Sequence, residues 1–586
     1  MYKDSIVQDP ERDSLLSDFG KDTLTDRYLL PGETFQGLFA RVAGFYADDA
    51  EHAQRLYDYM SKQWFMPATP VLSNGGTSRG MSISCFLNEC TDNLSGIVDN
   101  WTENVWLASN GGGIGSYWGN LRSIGEKVGK EGRGKTCGIV PFIKVQDALT
   151  LAISQGSLRR GSAAVYLPVW HPEIEEFVEL RRPTGGDPNR RTLNLHHGIC
   201  IDDAFMIAVK ENAKYPLRSP KTNEVLKEIS ARDLWIRILN ARLETGEPYL
   251  LFIDHVNNAI PKHHKLLNLK TKTSNLCVEI NLFTGADHLG NERTAVCCLS
   301  STNLEYFHLW EKNDQFIEDI MRFLDNVLQD FIDNAPDTMS KAKYAAMRER
   351  SVGLGVMGFH SFLQDKMIPF DGLMAKVWNK KIFTHIKEKV DAASVTLAYE
   401  KGPCPDAEEC GIMERFTNKT AIAPTASISI IGNSSPCIEP WAANVFTQKT
   451  LSGSFTVKNK HLEKLLESKG ENTQEVWSKI LRNQGSVQEL KCLSDEEKEV
   501  FKTSQEINPY KIVEWAGDRA PFIDQSQSVN LFLPGNIDKK DLHRIHYLAW
   551  ELGVKSLYYC RSLSIQRAES ISKVVVYDEG DCSSCQ

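Results

Sequence analysis

Between residues 66 and 300, short apolar segments alternate with glycine-rich turns and helical patterns, and this alternation limits the possible folds more than any other feature. The apolar segment 163–167 precedes a helix predicted to start near Pro172, and 248–253 follows a helix predicted over 231–243. Such alternation predicts an α/β architecture with parallel strands, because parallel neighbours need a crossover long enough to hold a helix. The flanking sequence fits around that core. Residues 1–65 read as helical, with amphipathic stretches at 34–46 and 53–63, and 315–334 and 373–401 read as long helices. A Thr/Ser-rich apolar segment covers 421–431, and 455–505 reads as charged helical surface. The end of the chain predicts a strand at 528–533, a helix at 539–552, a closing strand at 555–559, and a polar, mobile tail from 566.

The chain has 586 residues, 41% of them hydrophobic and 24% charged, which is ample for a large buried core. It has no apolar run long enough to span a bilayer, and its first residues, MYKDSIVQDPERDSLL, carry no apolar signal region. The expected compartment is the cytoplasm. A net charge of −9 gives no global attraction to nucleic acid, although basic clusters can still bind phosphates locally. Fourteen cysteines are too sparse for a disulfide scaffold, so buried thiols, metal ligands or redox chemistry are the alternatives.

One hexapeptide stands out: Asn275, Leu276, Cys277, Val278, Glu279, Ile280. At strand period two, an amide, a thiol and a carboxylate share one face and three aliphatic side chains the other. That pattern suits a site where Cys277 reacts while Asn275 and Glu279 hold a polar, hydroxyl-bearing ligand. The plain alternative is a half-buried strand with a chance cysteine.

Two glycine-rich runs invite nucleotide readings. Residues 129–136 (GKEGRGKT) fit the P-loop pattern, and 250–254 could pass for its Mg²⁺-binding strand, which makes a P-loop ATPase a rival class. The context is wrong on both sides: 120–127 is polar and charged, and 137–143 reads as a strand where a helix is required. Lys130, Arg133 and Lys135 can still contact phosphates. The run 109–115 (SNGGGIG) fails dinucleotide-loop spacing and reads better as a tight turn with close backbone approach.

Cys582 and Cys585 form a terminal CxxC with no second pair to complete a zinc site, so a dithiol for exchange chemistry is the favoured reading. Such a tail needs an internal disulfide to reduce. Candidates are Cys85 and the Cys297-Cys298 pair, each beside apolar residues that suggest strands. Tyr558-Tyr559 follows an apolar stretch and could relay an oxidising equivalent in a redox protein.

Taken together, the motifs ATPVLSNGG…SISC, NLCVEI, AVCCLSSTNL, APTASIS, DQSQSVNLF, GVKSLYY and the terminal CxxC resemble the catalytic large subunit of class I ribonucleotide reductase. The resemblance runs from about Phe65 to the C-terminus. It implies a ten-stranded α/β barrel with the reactive cysteine on a central finger loop, which qualifies the strand reading of 275–279. In domain terms it implies a helical region at 1–65, the barrel at 66–565 and a redox-active tail at 566–586. It also implies reduction of ribonucleoside diphosphates for DNA precursor synthesis. Carried over, Cys277 is the thiyl-radical cysteine, Asn275 and Glu279 grip the ribose with Glu279 as general base, and Cys85 with Cys297 reduces the 2′ position and ends as a disulfide. Cys298 is then the bystander. Thr69, Ser84, Pro424, Thr425, Ala426, Ser427 and Ser429 fall at substrate contacts, the last five in the loop that cradles the diphosphate. Tyr558 and Tyr559 match the radical-transfer pair, and Cys582 and Cys585 the dithiol that regenerates the active-site pair.

The resemblance also implies an allosteric site for dNTP or ATP with Mg²⁺, in which Asp92 binds the effector ribose. The first effector loop lies at 122–135, with Arg122 and Arg133, and the second at 182–193, with Arg182 and Arg191. No intrinsic cofactor and no metal on this chain are expected. The radical would come from a metal-containing small subunit, the reducing equivalents from thioredoxin or glutaredoxin, and the chain would form a homodimer, with no nucleic-acid or membrane partner. Two departures stand out. The N-terminal ATP-cone has no room before Phe65, so on/off control by dATP is expected to be missing or to rest with the partner, and the stretch 402–420 is short. The nearest rival is a class II, adenosylcobalamin-dependent reductase, which needs no tyrosine relay.

Overall fold

A computed structural model describes residues 2–83, 85–129, 134–155, 159–160, 162–182, 187–449 and 454–562. Three N-terminal helices, Asp18–Arg27, Phe35–Tyr46 and Ala50–Ser61, start where the sequence supplies a capping side chain. Ser17, Thr34 and Asp49 accept hydrogen bonds from the backbone N–H groups of Gly20, Gly37 and His52. The second and third pack on the helix Phe316–Asn334, where Asp319 accepts two bonds from Arg55 (2.8 and 2.9 Å) and one from Tyr59 (3.0 Å), and the first packs on the helix Ala426–Ile431.

The strands that build or flank the barrel are β1 (Phe65–Pro67), β2 (Cys85–Glu89), β3 (Gly113–Tyr117), β4 (Ser162–Pro168), β5 (His196–Ile201), β6 (Tyr249–Phe252), β7 (Ala295–Asn303), β8 (Val352–Met357), β9 (Leu531–Leu533), β10 (Ser556–Leu557) and β11 (Cys560–Ser562). From β2 to β6 each strand pairs in parallel with the next. Helices make several of the crossovers: Leu94–Ser109 joins β2 to β3, and Val140–Ala152 lies between β3 and β4. A second parallel set runs from β7 to β8 and on through single bridges, Leu354 to Thr420 and Ile422 to Gln527. The two sets meet antiparallel at both seams, β7 against β2 and β6 against β10. Tyr558 N–H donates to the Val529 carbonyl at 2.8 Å, which joins the last two staves and closes the ring. Each half therefore has five staves: β2 to β6 on one side, and β7, β8, 420–422, 526–529 and β10 on the other. This is the expected barrel.

Several local expectations change. The segment 137–143 is not a strand: the helix Val140–Ala152 begins there with Pro141 in its first turn, where its missing N–H costs nothing. The charged stretch 455–505 is more than surface, because Leu462, Leu466, Trp477, Ile480, Val487 and Phe501 form a second apolar core of their own with Val445. The closing strand is split into β10 and β11 around the two tyrosines. Among the described residues, no helix is long and apolar enough to cross a membrane.

Candidate active site

Residues 274–283 enter the barrel as a loop. The alternation of Asn275 to Ile280 does not make a strand: Leu276 to Val278 turn, with Val278 at φ 63° and its N–H donating to the Asn275 carbonyl at 3.3 Å. The strand period fails here because no strand among the described residues pairs with this backbone as a ladder. The barrel wall supplies its partners instead. Tyr166 on β4 donates from its hydroxyl to the Asn275 carbonyl (2.6 Å), Ser528 to the Cys277 carbonyl (2.6 Å), and the Ser526 N–H to the Glu279 carbonyl (2.9 Å). Gly115 on β3 makes room for the loop, since a Cβ there would lie 1.8 Å from the Ser274 carbonyl oxygen. The close backbone approach expected of the run 109–115 is thus present at its last glycine.

Asn275, Cys277 and Glu279 are all 0% exposed. Their surroundings are polar. The Asn275 amide lies 3.8 Å from Cys85 Sγ, and its Oδ1 accepts the Ile280 N–H at 3.1 Å. Ser528 Oγ lies 3.2 Å from Glu279 Oε2, and the Tyr558 hydroxyl is 3.3 Å from Cys277 Sγ. Buried polar groups held this way stay committed to one arrangement.

At the β2–β7 seam, Cys85 sits directly opposite Cys297, and both are buried. Facing positions of this kind bring side chains within about 5 Å. Burial pushes the Cys297 thiol well above its usual range, and Cys85 adds to that, while the Gln525 amide 3.7 Å away partly offsets it. Cys297 therefore stays a protonated thiol at neutral pH, suited to giving up hydrogen rather than to acting as a thiolate. Cys298 pairs with Val352 on the other neighbour, β8.

Beyond Cys277 the aromatic rings are continuous. The Tyr558 and Tyr559 centroids are 4.2 Å apart, and Tyr249 lies 4.8 Å from the first and 5.2 Å from the second. Tyr249, Tyr166, Gln525 and Ser528 were not singled out from sequence. The motif DQSQS contains the last two, but only their place on a stave beside the loop gives them a role.

The Thr/Ser-rich loop leaves the barrel after Ile422. Thr425 takes φ 54° ahead of the short helix Ala426–Ile431, and its hydroxyl accepts the Cys437 N–H at 2.7 Å. Ser429 N–H donates to the Thr425 carbonyl at 3.0 Å, and Pro424, Ala426 and Ser427 are half-buried beside it. Thr69 stands on a helix following β1 and bonds the Tyr28 hydroxyl at 2.8 Å. Ser84, Arg133, Cys582 and Cys585 lie outside the described residues.

A family model for the barrel domain of ribonucleotide reductase matches residues 83–414 and 407–560, and one for its all-alpha domain matches 14–80. The chain belongs to the ribonucleotide reductase large-subunit family. The reductase is 40% identical to the ribonucleoside-diphosphate reductase large subunit of Invertebrate iridescent virus 3, over 99% of this chain and 100% of that protein. It is also 40% identical to a putative large subunit of Frog virus 3, over 95% of this chain and 96% of the other. Among solved structures it matches the class Id ribonucleotide reductase alpha subunit of Actinobacillus ureae, with TM-score 0.82 and 33% identity over 95% and 98% of the two chains.

The expected effector residues fall into two groups. Asp92 and Arg122 form one ion pair, with Arg122 Nε 2.9 Å and Nη2 2.8 Å from Asp92 Oδ2. Arg182 and Arg191 instead meet around Glu179: Arg182 bonds its carboxylate at 2.6 Å, and Arg191 donates to its carbonyl. The P-loop reading fails on geometry, because Lys135 lies in a two-residue strand paired with Lys127 rather than at a helix start.

Both stems of the first loop hang on Glu173, whose carboxylate accepts the Ile124 and Ile139 N–H groups, each at 3.1 Å. Burial raises the Glu173 carboxyl from 4.5 to about 7 against the lowering effect of those bonds. The folded state thus holds an extra proton between pH 4.5 and about 7, so this residue's contribution falls as pH rises through that window, and its cost is complete above it. On the order of 3 kcal/mol is at stake. Thermal unfolding of the wild type and Glu173→Gln from pH 5 to 8 should therefore diverge, the wild type losing stability relative to the variant. Parallel curves would remove the assignment.

Proposed function

We propose that this reductase converts ribonucleoside diphosphates to 2′-deoxyribonucleoside diphosphates, using a radical delivered by a metal-containing small subunit. The contact that carries the reading is the Tyr558 hydroxyl 3.3 Å from Cys277 Sγ, at the inner end of an unbroken pair of tyrosines. Tyr559 passes the oxidising equivalent to Tyr558, which takes a hydrogen atom from Cys277. The thiyl radical then takes the hydrogen from C3′ of the ribose, and Glu279 accepts the proton of the 3′-hydroxyl. The 2′-hydroxyl leaves as water. Cys85 and Cys297 supply two electrons and two protons in total and become a disulfide, and Cys277 returns its hydrogen atom to C3′.

Asn275 orients the sugar, Thr69 and Ser84 contact the substrate, and the loop 424–429 holds the diphosphate end. Hydroxyls and backbone N–H groups suit phosphate oxygens there. The dithiol Cys582–Cys585 reduces the new disulfide and is itself reduced by thioredoxin or glutaredoxin. A dNTP or ATP with Mg²⁺ binds between Asp92, Arg122 and the second loop as effector. A homodimer is favoured by the apolar side chains exposed on two adjacent helices: Leu94, Val98 and Trp106 on Leu94–Ser109, and Val145 and Leu151 on Val140–Ala152.

Incubation with CDP and a thioredoxin-type reductant tests this. The chain should form dCDP when a class I small subunit is added and none with adenosylcobalamin alone. Turnover with adenosylcobalamin in the absence of a small subunit would make it a class II enzyme instead.

A further inference from the structure

The outer end of the tyrosine pair holds an arrangement that the reaction scheme leaves unused. His196, the first residue of β5, lies beside both Tyr559 and Tyr249. Its Nδ1 is 2.6 Å from Glu247 Oε1 and 3.4 Å from the Tyr559 hydroxyl. Its ring stacks on Tyr249, with centroids 5.9 Å apart and planes 17° apart, and meets Tyr559 edge-on at 6.2 Å. Glu247 is 1% exposed and is itself pinned, by the His197 N–H at 3.0 Å and by Arg181 Nη2 at 3.7 Å. Arg561 covers the Tyr559 ring at 5.2 Å, and the Tyr559 N–H donates to Asn530 at 3.0 Å, so the tyrosine is held at its backbone, its face and its oxygen.

The direction of the His196 contact follows from Glu247. Burial alone would raise that carboxyl, but the charges of His196 and Arg181 and the His196 bond hold it down at about 2. A carboxylate 2.6 Å from Nδ1 requires the proton on the nitrogen. The Tyr559 oxygen lies 3.4 Å from the same nitrogen, so with the proton there it is the second acceptor within reach. The hydrogen of Tyr559 is then left for the neighbouring phenols rather than for the histidine.

We propose that His196, oriented by Glu247, is a positioning residue of the radical relay: it donates a hydrogen bond to the phenolic oxygen of Tyr559 and keeps that oxygen aimed inward while the tyrosine is oxidised. The proposal rests on the relay reading above. In the step it serves, the Tyr559 phenoxyl radical takes a hydrogen atom from the Tyr558 hydroxyl, one electron and one proton together. Tyr559 returns to a phenol, Tyr558 becomes the radical, and His196 keeps its own proton throughout.

The test uses the full-length chain with a class I small subunit, CDP and effector. With 3-aminotyrosine in place of Tyr559, the more easily formed radical is trapped there and read by high-field EPR. His196→Phe keeps an aromatic ring on Tyr249 but removes the donor; His196→Asn sets an amide nitrogen where Nδ1 was. In His196→Phe the trapped radical should lose one exchangeable-proton coupling and show a raised gx, and His196→Asn should restore both. With Tyr559 intact, His196→Phe should lower dCDP formation about tenfold, with KM for CDP unchanged. An identical radical spectrum in wild type and His196→Phe overturns the proposal while leaving the relay standing. Normal turnover by Tyr559→Phe would instead bring down the relay reading, and the proposal with it.

Discussion

Cys277→Ser is expected to abolish dCDP formation while leaving the fold and its thermal midpoint nearly unchanged. The side chain is fully buried and the replacement is close to isosteric, so packing around the loop is kept. What is lost is the chemistry. A hydroxyl hydrogen is bound too strongly for Tyr558 to remove, so no radical reaches the sugar. The loss should be at least about four orders of magnitude, a barrier rise of roughly 5.5 kcal/mol or more. Steady-state and single-turnover assays should both read zero, because the step lies before any reduction of the 2′ position. Residual single-turnover dCDP above about one part in a thousand would be incompatible with this role.

Gly115→Ala should be the most damaging single-methyl change outside the reacting residues. The added Cβ would lie 1.8 Å from the Ser274 carbonyl oxygen and 2.8 Å from the Asn275 Cα. Both neighbours are backbone, so relief requires moving the loop rather than rotating a side chain. Overpacking of this kind costs about 1–3 kcal/mol of stability. Activity should suffer more, because a shift of about 1 Å at the reacting atoms can cost roughly 100-fold in rate. Purified Gly115→Ala should therefore melt a few degrees lower and turn over CDP about 100-fold more slowly. Wild-type turnover would mean that the loop is not seated against β3 in the working enzyme.

The strand–helix alternation of 66–300 gave the parallel half-barrel directly, because each crossover is local in sequence. The other half was harder to read. Its staves at 420–422 and 526–529 are joined to their neighbours by single bridges and scattered backbone and side-chain bonds, too short to form strands of their own. The hexapeptide Asn275 to Ile280 drew attention for the right residue types but suggested the wrong backbone. Its alternation is satisfied by a turn whose polar side chains face Cys85, Tyr558 and Ser528. The register that sets Cys85 opposite Cys297, far away along the chain, could come only from the fold or from family resemblance. His196 and Glu247 carried no signal at all. Each is an ordinary polar residue on a strand or turn until β5 and β6 bring them beside Tyr559.

The central claim is that Cys277 removes hydrogen from C3′, and a substrate isotope measurement tests it most directly. CDP carrying deuterium at C3′ should be reduced more slowly than unlabelled CDP by the wild-type chain with its small subunit, with the deuterium retained at C3′ in most of the product. Cys277→Ser should leave that substrate unchanged. The absence of any isotope effect, or conversion of the labelled substrate by Cys277→Ser, would contradict the account.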